Sequence, residues 1–144
     1  MAGTIVVDTS VLIKWIKSRD EELVPEARKL LEQIEKRSLQ VVVPALLLYE
    51  IGNILLLKTR LDSEELALAL AQVWALPFTV VGPEADLLRR TARLGRELNL
   101  TFYDASFIAL AEQLDCPFVT ADRKLYGRVQ QLPRVRHLSA PAGV

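Results

Sequence analysis

Thr4-Ile5-Val6-Val7-Asp8-Thr9-Ser10 is the stretch whose reading decides the fold. A short run of β-branched residues fits a buried strand, and this one stops at a carboxylate. A helical pattern follows directly over residues 10–15, with Val11, Leu12, Trp15 and Ile16 offering a buried side. A buried strand feeding straight into a helix marks a central strand of a parallel sheet. In open α/β sheets, ligands bind in the crevice outside the carboxyl ends of the strands, so Asp8 stands where that crevice opens. Thr9 and Ser10 are small hydroxyl residues suited to a tight turn and a helix N-cap.

Further along, Val24-Pro25-Glu26 opens a second helix, with proline where its missing N–H costs little. Val41-Val42-Val43 is a second buried strand ended by Pro44. Residues 45–58 form a helix that is apolar on almost every side, and so is either central or shared with a partner. Asp62 as N-cap and Glu65 at the third helical position make a capping box for a helix running to Trp74. Phe78-Thr79-Val80-Val81 is a third strand. An amphipathic helix follows from Glu84 to about Leu98, and another helix over residues 104–114. Pro117-Phe118-Val119-Thr120 is a fourth strand, and residues 135–138 form a short last strand at an edge. Strands alternating with helices imply a parallel sheet covered on both faces. The chain reads as one α/β domain over residues 1–144, with 139–144 as a loose tail.

Composition narrows the function. Half of the chain is hydrophobic, yet no apolar run approaches the roughly 18 residues of a membrane span, since Glu50 and Asn53 interrupt the greasiest stretch. No basic segment followed by an apolar run and a cleavage site opens the chain, so the expectation is a cytoplasmic protein with no signal peptide and no membrane contact. A single cysteine, Cys116, excludes an internal disulfide and a cysteine-based zinc site. A single histidine, His137, excludes a His-rich metal site. The formal net charge is zero, which removes a global basic field but not local patches.

Four acids carry the chemistry. Asp8 ends the first strand and Asp122 follows the fourth, so parallel strands project both from one edge of the sheet. Asp104 sits at a helix start, where backbone N–H groups and the dipole favour negative charge. Glu50 lies among Leu47, Leu48, Ile51 and Ile54, a costly place for a carboxylate unless it is paired or binds a cation. Crowded carboxylates raise one another's pKa, and a hard divalent ion removes that cost. Oxygen-only ligands select Mg²⁺ or Mn²⁺ over zinc, and such an ion promotes phosphodiester hydrolysis. Each acid also has an ordinary structural role open to it: Asp104 as an N-cap, Asp8 and Asp122 as turn formers, Glu50 as a surface residue. Asp62, Glu65, Glu84 and Asp86 are accounted for by helix starts, Asp115 by a helix end, and Asp20, Glu21 and Glu22 by a solvated loop.

The blocks Val7-Asp8-Thr9-Ser10-Val11-Leu12, Pro44-Ala45-Leu46-Leu47-Leu48-Tyr49-Glu50-Ile51-Gly52-Asn53, Tyr103-Asp104-Ala105-Ser106 and Val119-Thr120-Ala121-Asp122-Arg123-Lys124-Leu125 resemble, in this order, the PIN-domain ribonucleases. The likeness is greatest to VapC-type toxins of toxin–antitoxin pairs. The resemblance implies a three-layer α/β/α fold with a central, mainly parallel sheet, and a Mg²⁺- or Mn²⁺-dependent endoribonuclease. It implies that Asp8, Glu50, Asp104 and Asp122 form the catalytic, metal-holding set. Thr9, Ser10 and Thr120 match its small hydroxyl residues beside the acids. Asn53, one helical turn after Glu50, is in position to share its face. The family also implies a homodimer and a cognate VapB-type antitoxin. The apolar helix over residues 45–58 and the trio Val73, Trp74 and Leu76 could supply the exposed patch, or could all be interior.

RNA needs cations beside the acids. Arg123 and Lys124 follow Asp122 immediately, Arg128 lies a turn further on, and Lys14 and Lys17 follow Asp8. Arg89 and Arg93 fall at helical spacing with Arg96, beside Arg90, where a solvated face explains them equally well. Trp15 suits base stacking or, at its spacing with Val11 and Leu12, the core. His137 and Cys116 read as structural. Other readings are a PIN-domain nuclease in RNA processing and a catalytically idle PIN-like module that binds RNA or protein. A phosphoacceptor domain is disfavoured by Ser10 two residues after Asp8 and by the absence of acids beside the first strand. A nucleotide-binding fold is disfavoured by the lack of a glycine-rich loop there.

Overall fold

The structure, a computed structural model, describes residues 3–140. The elements are β1 (Gly3–Val7), α1 (Thr9–Ile16), α2 (Val24–Glu35), β2 (Leu39–Pro44), α3 (Leu46–Lys58), α4 (Ser63–Trp74), β3 (Thr79–Val81), α5 (Ala85–Leu98), α6 (Phe102–Leu114), β4 (Phe118–Thr120), α7 (Arg123–Val129) and β5 (Val135–His137). The five strands make one sheet in the order β3-β2-β1-β4-β5, and every pairing is parallel. Ile5, Val6 and Val7 of β1 are all buried, which requires cover on both faces of the sheet.

The connections explain the two layers. From β1 the chain steps to β2 and β3 on one side, then returns across the sheet to β4 and β5 on the other. Right-handed crossovers therefore put α1–α4 on one face and α5 and α6 on the opposite one. Helix α6 packs on β1, β2 and β4, and seven consecutive residues of it, from Ala105 to Ala111, are buried. Its Phe107 stacks on Phe118 of β4 with centroids 6.2 Å apart. On the other face, Trp15 donates from its indole N–H to the Ala27 carbonyl at 2.8 Å, tying α1 to α2, so it belongs to the packing. The sequence of directions reverses between β1 and β4, and the crevice rule for α/β sheets points there.

Local rules account for most boundaries. The Asp62–Glu65 capping box forms with both hydrogen bonds at 2.9 Å. Asn99 and Asp115 end α5 and α6 in the left-handed conformation that short polar side chains tolerate. Pro44 pairs with Val81 as the last residue of β2, and the Ala45 N–H donates to the Val81 carbonyl at 2.9 Å.

Several elements depart from the sequence reading. Helix α6 begins at Phe102 rather than Asp104, because Thr101 is the N-cap and accepts from the Asp104 N–H at 3.0 Å. A helix not expected from the sequence, α7, follows Asp122, which caps it. Of the trio expected to share one patch, Val73 is fully buried in the core while Trp74 is 68% exposed. Of the expected loose tail, Ser139 and Ala140 turn back to hydrogen-bond His137, and residues 141–144 lie outside the described residues.

Thr101→Ala should lower the unfolding free energy by about 1 kcal/mol in a denaturant titration, and Thr101→Ser by much less. Equal losses in the two variants would show that the cap is not the hydroxyl.

Candidate active site

Strand β1 delivers Asp8 to the point where the direction of the connections reverses. The register pairs Val7 with Val119, so Asp8 faces Thr120 across the ends of β1 and β4. Thr120 Oγ1 donates to Asp8 Oδ2 at 2.5 Å. The other oxygen, Oδ1, accepts from Ser10 Oγ at 2.5 Å and from the Ser10 N–H at 3.1 Å, which makes Asp8 the N-cap of α1. Ser10 Oγ also accepts from the Ala121 N–H at 2.9 Å, and Thr120 Oγ1 from the Asp122 N–H at 3.0 Å. Two hydroxyls thus stitch the end of β1 to the end of β4 around one buried carboxylate.

The remaining acids arrive from three other elements. Glu50 projects from α3 and accepts from Thr9 Oγ1 at 2.9 Å. Asp104 sits in the first turn of α6, and because Thr101 does the capping its carboxyl is free for the cleft. Asp122 caps α7 by accepting from the Leu125 N–H at 3.0 Å. All four acids line one cleft of about 340 Å³. Ile13, Ile54 and Phe107 supply apolar wall.

The electrostatics follow from this crowding. Burial raises the Asp8 pKa from 3.8 to about 6; the Ser10 and Thr120 hydroxyls oppose the rise and the charge of Asp122 adds to it. Glu50 is raised by burial first, against the Thr9 hydroxyl, with the charge of Asp104 adding. Asp104 is raised by burial and then by Asp122, while Thr101 and the Arg128 guanidinium pull it down. Three of the four carboxyls are therefore harder to ionise in the fold than in water.

The donors present are carboxylates and hydroxyls, the oxygen set of a hard divalent ion. Among the described residues, no three acidic, histidine or cysteine side chains stand at the spacing of a closed metal cage. The acids share a cleft, with Asp8 and Glu50 held by hydroxyl donors, rather than a pre-assembled shell. The donor chemistry and the unrelieved repulsion fit Mg²⁺ or Mn²⁺.

The other residues singled out in the sequence divide. Thr9, Ser10, Lys14 and Lys17 line the cleft, and Thr120 lies beneath it. Asn53 does not: it is exposed, because Ile54 and Lys58, at i+4 and i+8 from Glu50, take the cleft-facing positions of α3. Arg123 and Lys124 start α7 beside Asp122 and are exposed. Arg89 and Arg93 stand outside the cleft: Arg89 pairs with Asp86, and Arg93 with Glu97 and Glu112, so that stripe is an ion-paired helix surface. Glu21, expected in a solvated loop, instead lines the cleft and bonds Lys14 at 3.0 Å. Its loop folds back over the end of α1, and no sequence period marks such a return. His137 packs edge-on against Tyr126 with centroids 5.2 Å apart. Cys116 is buried, which pushes its thiol up to about 11, so it is an inert packing residue.

A family model described as the PIN domain matches residues 5–130. Among solved structures, the Pyrobaculum aerophilum protein PAE2754 is 27% identical with a TM-score of 0.67, covering 96% of this chain and 93% of its own. A toxin–antitoxin complex from Klebsiella pneumoniae is 19% identical with a TM-score of 0.69, covering 93% and 97%. The Mycobacterium tuberculosis VapC20, a sarcin–ricin loop cleaving toxin, is 20% identical with a TM-score of 0.63, covering 85% and 93%. Among curated proteins, none matches the sequence significantly.

The raised Asp8 carboxyl has a consequence for stability. Between its ordinary 3.8 and about 6, the folded protein holds a proton that the unfolded chain has released. Its contribution is complete below the lower value and is lost as pH climbs through the higher one. The ionisation penalty is on the order of 3 kcal/mol. Without divalent ions, Asp8→Asn should therefore melt several degrees above the unsubstituted protein at about pH 8, the gap closing by about pH 4. A gap independent of pH in thermal denaturation would contradict the assignment.

Proposed function

The chain belongs to the PIN domain family, and on that premise we propose that it is a divalent-metal-dependent endoribonuclease, the toxin of a VapC-type toxin–antitoxin pair. The observation that carries this reading is the convergence of Asp8, Glu50, Asp104 and Asp122 on one cleft at the β1–β4 switch point. The resemblance of four sequence blocks to PIN-domain ribonucleases supports the substrate. The toxin–antitoxin complex and the RNA-cleaving toxin among the similar folds support the biological role.

In this reading Asp8, Asp104 and Asp122, with Glu50, hold Mg²⁺ or Mn²⁺. When bound, the ion supplies Lewis-acid stabilisation of the phosphoryl oxygen and makes water a better nucleophile at neutral pH. The chain does the rest. Ser10 and Thr120 fix both oxygens of Asp8. Thr9 orients Glu50 by donating to its Oε1. Ile13, Ile54 and Phe107 limit water. Cations near the cleft mouth, Lys14, Arg123 and Lys124, bind the RNA backbone.

Protein partners fit the apolar surface. Leu56, Leu57 and Leu68, with Trp74, stand exposed on α3 and α4. A separate apolar groove of about 270 Å³ is lined by Tyr49, Leu88, Phe102 and Tyr103. One chain buries little against such surfaces, and an antitoxin and a second copy of the chain would cover them. No helix among the described residues is long and apolar enough to cross a membrane; the proposed place of action is the cytoplasm.

Purified protein should cleave structured RNA with Mg²⁺ or Mn²⁺ and stop on chelation. Asp8→Asn and Asp104→Asn should each lose on the order of a hundredfold or more in rate while keeping a native circular dichroism spectrum. Cleavage that survives a chelator or both substitutions would remove the metal-hydrolase reading. Expression without a partner should arrest growth, and Asp8→Asn should relieve the arrest. Harmless overexpression of active enzyme would instead assign the chain to RNA processing.

A further inference from the structure

The loop between α1 and α2 carries two consecutive glutamates, and each meets a cation: Glu21 in the acidic cleft and Glu22 beside Asp122. Glu21 bonds Lys14 Nζ through Oε1 at 3.0 Å and Lys17 Nζ through Oε2 at 3.7 Å. Glu22 bonds Arg123 at 3.3 Å through its Oε2, reaching from one side of the cleft to the first residue of α7. Lys14 lies one helical turn after Ser10, which itself holds Asp8. The Lys14 side chain is only 8% exposed, so its ammonium needs an anion. Arg123 follows Asp122 directly. Lys14, Lys17 and Arg123 are thus already paired, with two consecutive carboxylates of one loop.

We propose that Lys14, Lys17 and Arg123 are the binding track for the phosphate backbone of RNA, and that Glu21 and Glu22 occupy this track as phosphate surrogates until RNA displaces them. The inference rests on the nuclease reading and adds to it Lys17 and a built-in competitor.

Three observations support the exchange. First, the cations stand beside one site: Lys14 and Lys17 line the acidic cleft, and Arg123 directly follows Asp122, which lines it too. Second, two of the contacts are cheap to open. Glu22 and Arg123 are 78% and 74% exposed, and Lys17 is 33% exposed at the longer distance; exposed pairs of this kind contribute little to stability. Third, Lys14 stays paired throughout, because an incoming phosphate replaces Glu21 as its anion and leaves no buried charge alone. The loop holds two φ-positive residues, Asp20 and Leu23, one on each side of the glutamates. This backbone shape aims consecutive side chains at two different elements. The chain's zero net charge is consistent with this arrangement, since the basic track is masked by its own loop.

Fluorescence anisotropy with a short fluorescein-labelled oligouridylate, with calcium in place of magnesium, tests the exchange. The double variant Glu21→Gln/Glu22→Gln should bind about fivefold tighter than the unsubstituted protein. The charge-matched control Glu64→Gln/Glu97→Gln, away from the cleft, should bind as the unsubstituted protein does. Lys17→Gln/Arg123→Gln, a half-buried and an exposed position at which glutamine keeps most of the side-chain stem, should bind more weakly. It should also lower the slope of log Kd against log salt by about 1.4, the value for two lost phosphate contacts on a single strand. If the protein cleaves RNA but the glutamate variant binds no tighter than the control, the surrogate role is wrong and the nuclease reading stands. If the lysine–arginine variant keeps the full salt slope, the track is wrong. If the unsubstituted protein neither binds nor cleaves RNA, both readings fall.

Discussion

A buried carboxylate held by two hydroxyls is the constraint on which the rest of this structure depends. Asp8 is 6% exposed and takes hydrogen bonds from Ser10 and from Thr120, residues 110 positions apart in the chain. Neither hydroxyl is redundant, because each also receives a backbone N–H beyond β4. The clasp therefore locks the ends of β1 and β4 together at the one place where the sheet connections reverse. An unpaired carboxylate there would cost several kcal/mol; even a fully hydrogen-bonded one keeps a raised pKa. The fold tolerates a charge it would be more stable without, and such tolerated strain concentrates at functional sites.

From this clasp the cleft is assembled by topology. Helices α3, α6 and α7 each bring an acid by a different local rule. Glu50 projects from the one polar position in an apolar turn of α3. Asp104 is released for the cleft because Thr101 caps α6 instead. Asp122 caps α7 with one carboxyl oxygen and leaves the other, Oδ2, to the cleft. The acids come from separate parts of the chain, so their mutual repulsion is borne by the tertiary structure and not by any single element. The same edge gathers cations, with Lys14 from α1 and Arg123 from α7 bracketing the acids. Acids and bases meet at one rim, and the loop glutamates pair with the bases.

Much of this was legible in the residues because it obeys short-range rules. The β-branched run before Asp8, the Asp62–Glu65 box and the alternation of strand and helix each have a local physical signature. The acids were legible because Glu50 is out of place among leucines and because Asp8 and Asp122 both follow strands. What was not legible depends on tertiary context. The seven-residue α7 is too short to show a period. The start of α6 moved because Thr101 and Asp104 are both good caps and only packing decides between them. Asn53 turned away from the cleft because an almost uniformly apolar helix, α3, carries no face information of its own, and Val73 and Trp74 parted because neighbours in sequence face different sides of a helix. Glu21 looked like a loop acid because its partner, Lys14, is fixed by the path of the loop and not by helical spacing.

The central claim is that a divalent ion relieves the repulsion among these carboxyls, and calorimetric titration of Mn²⁺ into the purified protein near neutral pH tests it most directly. The expected result is saturable binding, with protons released in proportion to the raised carboxyl pKa values and seen as a dependence of the heat on buffer ionisation. Asp104→Asn should weaken the binding at least about tenfold. Absence of saturable binding, or equal affinity in the Asp104 variant, would contradict the claim.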